Sequence, residues 1–271
     1  MHRWDFKYLV LFLLLFLANC TNQEKKIRQQ NLRGEFLTRH HNEYFFIPYP
    51  PQPLTRERYP WENKSIGGFP RITKEFFSCK GNPLNPVVVK KREGKDPLYY
   101  RDCKGGKRHG LPLKKGQEFI YPCLIKLLNY IQEKTEKRVV ITTGHRCPTH
   151  NIYCDQSSYN WDSKHMIGAE VDFYVEGMEE NAQKVIALIM RYYQEKDPKE
   201  EFARYSCEKL NVSTPSWYNK EIFIKYYLAH EGRDFDNQHP YPYISIQMRY
   251  YEEDHTRVTF SQEQAENYLR H

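Results

Sequence analysis

The spacing of apolar residues between positions 116 and 250 constrains the fold of this 271-residue chain more than any other feature. Between 119 and 131 they recur every three or four positions, which predicts an amphipathic helix. The run 138–143 is rich in β-branched residues and predicts a buried strand. Apolar and polar residues alternate along 169–175, which predicts a strand with two different faces.

Further elements are predicted on the C-terminal side. These are a helix over 182–190, strands over 221–228 and 243–250, and a last helix from Ser261, where Ser-Gln-Glu-Gln has capping-box spacing. Few strands with separate helices are typical of the α+β class, here with a small antiparallel sheet. The stretch 79–115 mixes Gly, Pro and Lys with little periodicity and predicts a long irregular loop.

The first twenty residues differ from the rest of the chain. Residues 9–18 are apolar and uncharged, and they are fewer than the ~20 that a membrane span needs. A basic start followed by a short apolar run is typical of a secretory signal. The run ends at Leu17-Ala18-Asn19-Cys20, which resembles a bacterial lipobox. That resemblance implies cleavage before Cys20 and attachment there of acyl lipid such as palmitate; an ordinary signal peptide and a signal anchor are the alternatives.

Three parts of the chain are therefore expected. Residues 1–19 are predicted to be a lipoprotein signal peptide, and 20–70 a lipid-anchored tether with a Pro- and Tyr-rich arm. Residues 71–271 are predicted to be one α+β domain with its core at 116–250. We expect a protein of the bacterial cell envelope, anchored by lipid to a membrane on the exported side.

Composition narrows the classes of function. With 39% apolar, 15% aromatic and 28% charged residues, the sequence is typical neither of a multi-pass membrane protein nor of a disordered chain. A formal net charge of +7 suits an anionic partner such as acidic lipid heads, wall polymers or peptide carboxylates. Basic and acidic residues are interspersed and no nucleic-acid motif occurs, so nucleic acid is not expected as a partner.

The chain has seven cysteines, of which Cys20 is the predicted lipid anchor. The six other cysteines are an even number, which in an exported protein is typical of disulfides. Cys147 and Cys154 are close enough in sequence for a disulfide across one loop. A metal–thiolate site is the alternative, although no C-x-x-C pair occurs. The six remaining residues are Cys79, Cys103, Cys123, Cys147, Cys154 and Cys207.

The segment 141–175 carries the strongest chemical signal. Arg146 follows a predicted strand, His165 precedes a glycine turn, and Asp172 lies on the next strand. An imidazole and a carboxylate are both good ligands for zinc, and a catalytic zinc uses three protein ligands and a water. Because side chains alternate along a strand, Glu170 is expected on the same face as Asp172.

The motif Ser163-Lys164-His165-Met166-Ile167-Gly168-Ala169-Glu170-Val171-Asp172 resembles that of the zinc D-alanyl-D-alanine carboxypeptidases and related murein endopeptidases. The resemblance covers about residues 116–250. It implies a carboxypeptidase-like fold, zinc ligation by His165 and Asp172, and binding of a substrate carboxylate or carbonyl by Arg146. The implied ligand is the stem peptide of peptidoglycan.

The chain departs from this family at the third metal ligand. The family has a histidine on a late strand, whereas the matching face here carries Ser245, Gln247 and Arg249. A glutamine amide is a weak zinc donor and a serine hydroxyl a weaker one. Gln247 or a nearby histidine, His239 or His230, is therefore the candidate third ligand. Glu170 and His239 are the candidate bases, and Ser163, Ser245 and Arg249 are further candidate site residues.

Three interpretations remain open at this point. The metal site is lost and the domain binds a peptide without cutting it, another histidine replaces the missing ligand, or 141–175 is an ordinary strand–loop–strand. The first two give an envelope lipoprotein that binds or hydrolyses peptidoglycan stem peptides, with zinc as cofactor if it is active. The alternative is a non-catalytic surface lipoprotein that binds a protein or wall partner.

Overall fold

Three short antiparallel hairpins come first in the structure, a computed structural model that describes residues 65–105, 107–157, 163–205, 212–260 and 262–267. A 3₁₀ helix at Lys74–Phe77 follows the first hairpin, and a one-turn helix α1 (Lys107–Gly110) precedes the third. The hairpins pair β1 (Ser65–Ile66) with β2 (Phe69–Pro70), β3 (Val88–Arg92) with β4 (Lys95–Tyr100), and β5 (Leu113–Lys114) with β6 (Gln117–Glu118).

The remaining elements alternate helices with strands and belong, with the hairpins, to one compact unit. Two further 3₁₀ helices lie at Lys164–Ile167 and Glu179–Asn181. The order is α2 (Pro122–Thr135), β7 (Val139–Thr143), α3 (Pro148–Cys154), β8 (Glu170–Val175), α4 (Ala182–Lys196), β9 (Ala203–Tyr205), β10 (Ser216–Tyr218), β11 (Ile222–Tyr227), β12 (Tyr243–Met248), β13 (Tyr250–Tyr251), β14 (Thr256–Arg257) and α5 (Gln262–Asn267).

Six of these strands form one sheet in the order β7–β8–β12–β11–β10–β9, with every neighbouring pair antiparallel. Strands β13 and β14 form a separate hairpin. The α+β class and the antiparallel sheet predicted from the sequence are therefore confirmed. In the described part of the chain, no helix combines the length and apolar character needed to cross a bilayer.

Helices α2 and α4 supply the main core, together with one face of the sheet. Side chains spaced three and four apart on both helices are fully buried, as the sequence periodicity predicts. Each such aliphatic side chain contributes roughly 1.5–3 kcal/mol of hydrophobic stabilisation. The cluster includes Leu124, Leu127, Leu128, Ile131, Val185, Ile186 and Ile189 from the helices, and Val171, Phe173, Ile244 and Ile246 from the sheet. The alternate residues of β8 and β12 point to the other face, which is where the polar site lies.

The prediction of an irregular loop over 79–115 is wrong, because the hairpin of β3 and β4 occupies its centre. Most of the side chains of this hairpin are exposed, including those of Val89 and Tyr99. A hairpin that buries little of either face needs no alternation of apolar and polar residues, so its sequence shows none.

Several predictions concern residues outside the described ranges. They are the signal peptide at 1–19, the lipid anchor at Cys20, the tether and arm as far as residue 64, Cys207, and the helix cap at Ser261. The expected domain boundary after residue 70 falls at the end of the first hairpin. That hairpin contacts α2, since the Gln132 amide donates hydrogen bonds to the carbonyls of Ile66 and Pro70 at 3.1 Å each.

Strand β7 ends against the backbone of an earlier segment at Gly144. A Cβ atom at Gly144 would lie 2.5–2.8 Å from backbone atoms of Phe77, and the adjacent His145 amide donates to the Phe77 carbonyl at 2.6 Å. A side chain at this position would push the two segments apart, so glycine is required by the close approach.

We predict that Gly144→Ala lowers the free energy of unfolding by about 1–3 kcal/mol, because the added methyl group overpacks against rigid backbone. Gly110→Ala is the matched control, since a Cβ there meets nothing within 4 Å, and we expect a change within about 0.5 kcal/mol. Urea unfolding of both variants is the measurement. If Gly144→Ala and Gly110→Ala were equally stable, the backbone of Phe77 would not lie close enough to Gly144 to exclude a side chain.

Candidate functional site

A pocket of about 600 Å³ lies on the sheet face that points away from helices α2 and α4. Strands β8, β11 and β12 form its floor, and the loops before and after α3 and after β11 form its walls. Its lining is mostly polar. The lining includes Arg146, Cys154, Ser163, Lys164, His165, Glu170, Asp172, Lys225, Arg233, Asp234 and Gln247.

Three side chains with metal-binding atoms converge in this pocket. His165 Nε2 lies 3.4 Å from Asp172 Oδ2 and 3.7 Å from Glu170 Oε1. One donor atom from each residue lies within 4.8 Å of the other two, and all three residues are buried. The structure thus brings His165 and Asp172 together, as their spacing suggests, and adds a carboxylate oxygen of Glu170 as the third donor atom.

Local backbone structure positions His165. The residue lies in the 3₁₀ helix Lys164–Ile167, where its amide donates to the Ser163 hydroxyl at 3.3 Å. Its Nδ1 is 2.7 Å from the Gly144 carbonyl oxygen, which can only accept, so Nδ1 carries a hydrogen. Nε2 is consequently the nitrogen that faces the carboxylates, and a backbone partner of this kind orients metal-binding histidines in general.

Sheet register positions the two carboxylates. In the antiparallel pair of β8 and β12, Asp172 lies opposite Ser245 and Glu170 lies opposite Gln247. The Gln247 amide donates to Glu170 Oε1 at 2.6 Å, and the Ser245 hydroxyl donates to the same oxygen at 3.0 Å. The two residues that stand where a third metal ligand was expected therefore hold Glu170 in place.

The charges of the three residues depend on one another. Burial lowers the pKa of His165, but the carboxylates of Glu170 and Asp172 outweigh burial and the pKa lies above its ordinary value. Burial raises the pKa of Asp172, but His165 outweighs it, with help from Arg146 and Asn237, so that pKa is lowered. Without a metal, the cluster thus favours a charged His165 beside an ionised Asp172.

Arg146 is buried at the pocket wall in an ion-pair network. Its Nε donates to Asp236 at 2.9 Å, and its Nη2 donates to Asp234 at 2.7 Å and to the Thr143 hydroxyl at 3.1 Å. Among the described residues, Nη1 has no hydrogen-bond partner. Most of the guanidinium is therefore engaged by protein carboxylates, which leaves one nitrogen for a ligand.

The same network includes His150, which the sequence did not single out. Its Nδ1 lies 2.6 Å from Asp102 and its Nε2 lies 3.2 Å from Asp236. Burial lowers the pKa of His150, but the Asp236 charge and the other neighbouring anionic groups raise it well above its ordinary value. With a carboxylate against each nitrogen, His150 is a charged ion-pair partner and has no lone pair for a metal.

Other sequence candidates lie elsewhere. His239 is buried among tyrosines, with its ring centre 5.2 Å from that of Tyr174, and it does not line the pocket. Arg249 lies beyond the end of β12, where its guanidinium stacks 4.5 Å from the ring centre of Tyr218. His230 is exposed in the loop after β11. The structure does not bring these three side chains to the His165 cluster.

Asn237 is a further residue of the site that the sequence patterns did not indicate. The Asn237 amide donates to Asp172 at 3.0 Å and to Thr143 at 3.2 Å, and its oxygen accepts from Thr142 at 2.6 Å. The run Asp234-Phe235-Asp236-Asn237, which is polar but lies in a loop, is the only signal in the sequence that could have indicated it.

We predict that His239→Phe removes an acid-dependent loss of stability. Burial and the nearby Arg233 lower the pKa of His239 to about 4, so the unfolded chain binds this proton more tightly. Stability therefore falls as pH falls from about 6.5 to about 4, by on the order of 3 kcal/mol from this group alone. Urea unfolding across that range should show a smaller loss in His239→Phe, which keeps the ring packing.

The matched control is His230→Gln, an exposed histidine whose removal should leave the acid-dependent loss unchanged. An identical pH dependence in wild type and His239→Phe would contradict the assignment of this titration to His239.

No family model matches this chain, and searches of the curated proteins and of the solved structures return no match.

Proposed function

We propose that this chain is a lipid-anchored envelope protein that binds a zinc ion through His165, Glu170 and Asp172 and hydrolyses peptidoglycan stem peptides. The convergence of one imidazole nitrogen and two carboxylate oxygens within 4.8 Å in a polar pocket carries the proposal. The lipobox-like sequence that ends at Cys20 supports the predicted location, and the resemblance of 163–172 to the carboxypeptidase motif supports the substrate class.

The donor set fits a catalytic zinc. Three protein ligands of the nitrogen and oxygen type, with one position left for water, are the usual arrangement. His165 is oriented by the Gly144 carbonyl, Glu170 by Gln247 and Ser245, and Asp172 by Asn237. A zinc ion held there would polarise a scissile carbonyl and acidify its bound water.

The charge of the pocket suits an anionic peptide end. Its lining holds four basic residues (Arg146, Lys164, Lys225 and Arg233) and four acidic ones (Asp155, Glu170, Asp172 and Asp234). When His165 is neutral, as metal ligation requires, these charges cancel, so a bound divalent cation would make the pocket net positive. Arg146, which lines the pocket, is then the candidate to bind a peptide carboxylate through Nη1, because a guanidinium forms short charge-assisted bonds with carboxylates.

A second function, peptide binding without cleavage, is favoured by one observation. Glu170 Oε1 already accepts two hydrogen bonds, and His165 already lies between two carboxylates, so the cluster is stable without a metal. In that case the pocket would bind its peptide through hydrogen bonds and Arg146 alone.

Metal content and peptide digestion separate the two functions. For the full chain purified in detergent, we expect His165→Ala to remove one equivalent of zinc and to abolish release of the terminal residue from purified muropeptides. Glu176→Gln, an exposed carboxylate at the end of β8, is the control and should retain both. Equal zinc content and equal digestion in wild type and His165→Ala would contradict the proposal.

We also predict that Gln247→Ala weakens zinc binding at this site by roughly 10–100-fold, because Glu170 loses the donor that orients it. Glu170→Gln should weaken it further, since a ligand is lost. Gln156→Ala is the matched control: this glutamine lines the same pocket, but its amide donates to the carbonyls of Ile152 and Tyr153.

Competition with a zinc-binding dye measures the three affinities. The prediction fails if Gln247→Ala and Gln156→Ala bind zinc equally well.

A further inference from the structure

Three cysteines from distant parts of the chain meet beside the pocket. The Sγ atoms of Cys79, Cys103 and Cys147 all lie within 4.8 Å of one another. Cys79 follows the 3₁₀ helix Lys74–Phe77, Cys103 follows β4, and Cys147 lies between β7 and α3. Cys103 and Cys147 are buried and all three are free thiols.

Backbone amides point at two of these sulfurs. The Gly105 amide donates to Cys103 Sγ and the His150 amide donates to Cys147 Sγ, each at 3.4 Å. Hydrogen bonds from Cys147 and Cys79 lower the pKa of Cys103 far below its ordinary value, whereas burial raises the pKa of Cys79 and the hydrogen bond to Cys103 raises that of Cys147 to about 12, so one of the three sulfurs is favoured as a thiolate. Donors aimed at sulfur stabilise its charged form, which is the form that binds metals.

We propose that Cys79, Cys103 and Cys147 form a structural zinc site. Zinc at about 2.3 Å from each sulfur would hold the sulfurs about 3.8 Å apart in a tetrahedral arrangement, so little movement is needed. Binding replaces the remaining thiol protons, which are released to solvent. A disulfide, by contrast, needs a sulfur–sulfur distance of about 2.05 Å and would leave the third thiol beside it.

Other cysteines of the described structure do not offer such a site. Cys154 lies 3.3 Å from His150 Nε2, but that nitrogen faces the Asp236 carboxylate and donates to it. Cys123 is buried on α2, 3.2 Å from the Tyr193 hydroxyl.

His109 belongs to the segment that contacts the cluster, although its ring nitrogens are not among the ligand atoms that lie within 4.8 Å of one another. Its Nδ1 is buried and has no hydrogen-bond partner among the described residues. The carbonyl of the next residue, Gly110, accepts a hydrogen bond from the Cys79 amide at 2.7 Å, so this segment contacts the cluster. A water molecule would fill the fourth position on the zinc.

The proposed thiolate site would connect the segment that follows the hairpin of β3 and β4 to the wall of the pocket. Cys147 directly follows Arg146, and Asp102, next to Cys103, accepts from His150. A zinc ion held by the three sulfurs would therefore fix the loops that carry the ion-pair network of Arg146. This inference does not rest on the proposed peptidase function, because it concerns different ligands.

X-ray absorption at the zinc edge tests the site in the full chain, purified under reducing conditions and loaded with zinc. To isolate the thiolate site, the measurement uses His165→Ala, in which the other candidate site is removed. We expect one equivalent of zinc with sulfur neighbours at about 2.3 Å. Adding Cys103→Ser should lose that equivalent, whereas adding Cys123→Ser, the matched buried control, should keep it.

Two results would overturn the site. One is zinc in His165→Ala with only nitrogen and oxygen neighbours, or no zinc at all. The other is a disulfide between any two of the three cysteines in the chain isolated without reductant and mapped by mass spectrometry. Because the absorption spectrum uses a variant in which all three cysteines are present, the test holds even if Cys103→Ser fails to fold.

Discussion

The pairing of β8 with β12 is the contact on which the rest of the site depends. Its register places Glu170 opposite Gln247 and Asp172 opposite Ser245, while the intervening residues pack on the helices. A shift of one residue would turn both carboxylates into the apolar core and expose Val171 and Phe173. The packing of one sheet face therefore fixes which side chains line the pocket on the other face. The pairing of β7 with β8 is irregular between Ile141 and Thr143, opposite Phe173 and Asp172.

The buried charges are the second constraint. Burying an unpaired ion costs several kcal/mol, so each charged group near the pocket has a partner. Arg146 binds two aspartates, His150 lies between two, and His165 lies between Glu170 and Asp172. Arg146 and Asp172 also interact electrostatically, so the ion pairs and the candidate metal site belong to one connected set of charges. Changing one group would alter the charge state of the others.

Local sequence patterns were sufficient to predict the main helices and the long strands, but not which strands pair. The helices α2 and α4 and the strand β8 follow from periodicity, because each has one face in the packed core, whereas β7, buried throughout, follows from its β-branched run. His165 and Asp172 could be paired from their spacing around Gly168, which ends the intervening 3₁₀ helix at φ +69°. The hairpin of β3 and β4 could not be predicted, since its exposed strands carry no alternation of apolar and polar residues. The roles of Asn237 and of the cysteine cluster depend on contacts between segments far apart in sequence, which local patterns do not predict; the polar loop run 234–237 is the one local feature that marks Asn237.

Anomalous X-ray scattering from zinc-soaked crystals shows directly whether His165, Glu170 and Asp172 hold a metal ion. The geometry predicts a zinc peak at about 2.0–2.2 Å from His165 Nε2 and from one carboxylate oxygen each of Glu170 and Asp172. Absence of a peak there, with the three side chains arranged as described and zinc in excess, would contradict the claim and leave a pocket that binds its peptide without a metal.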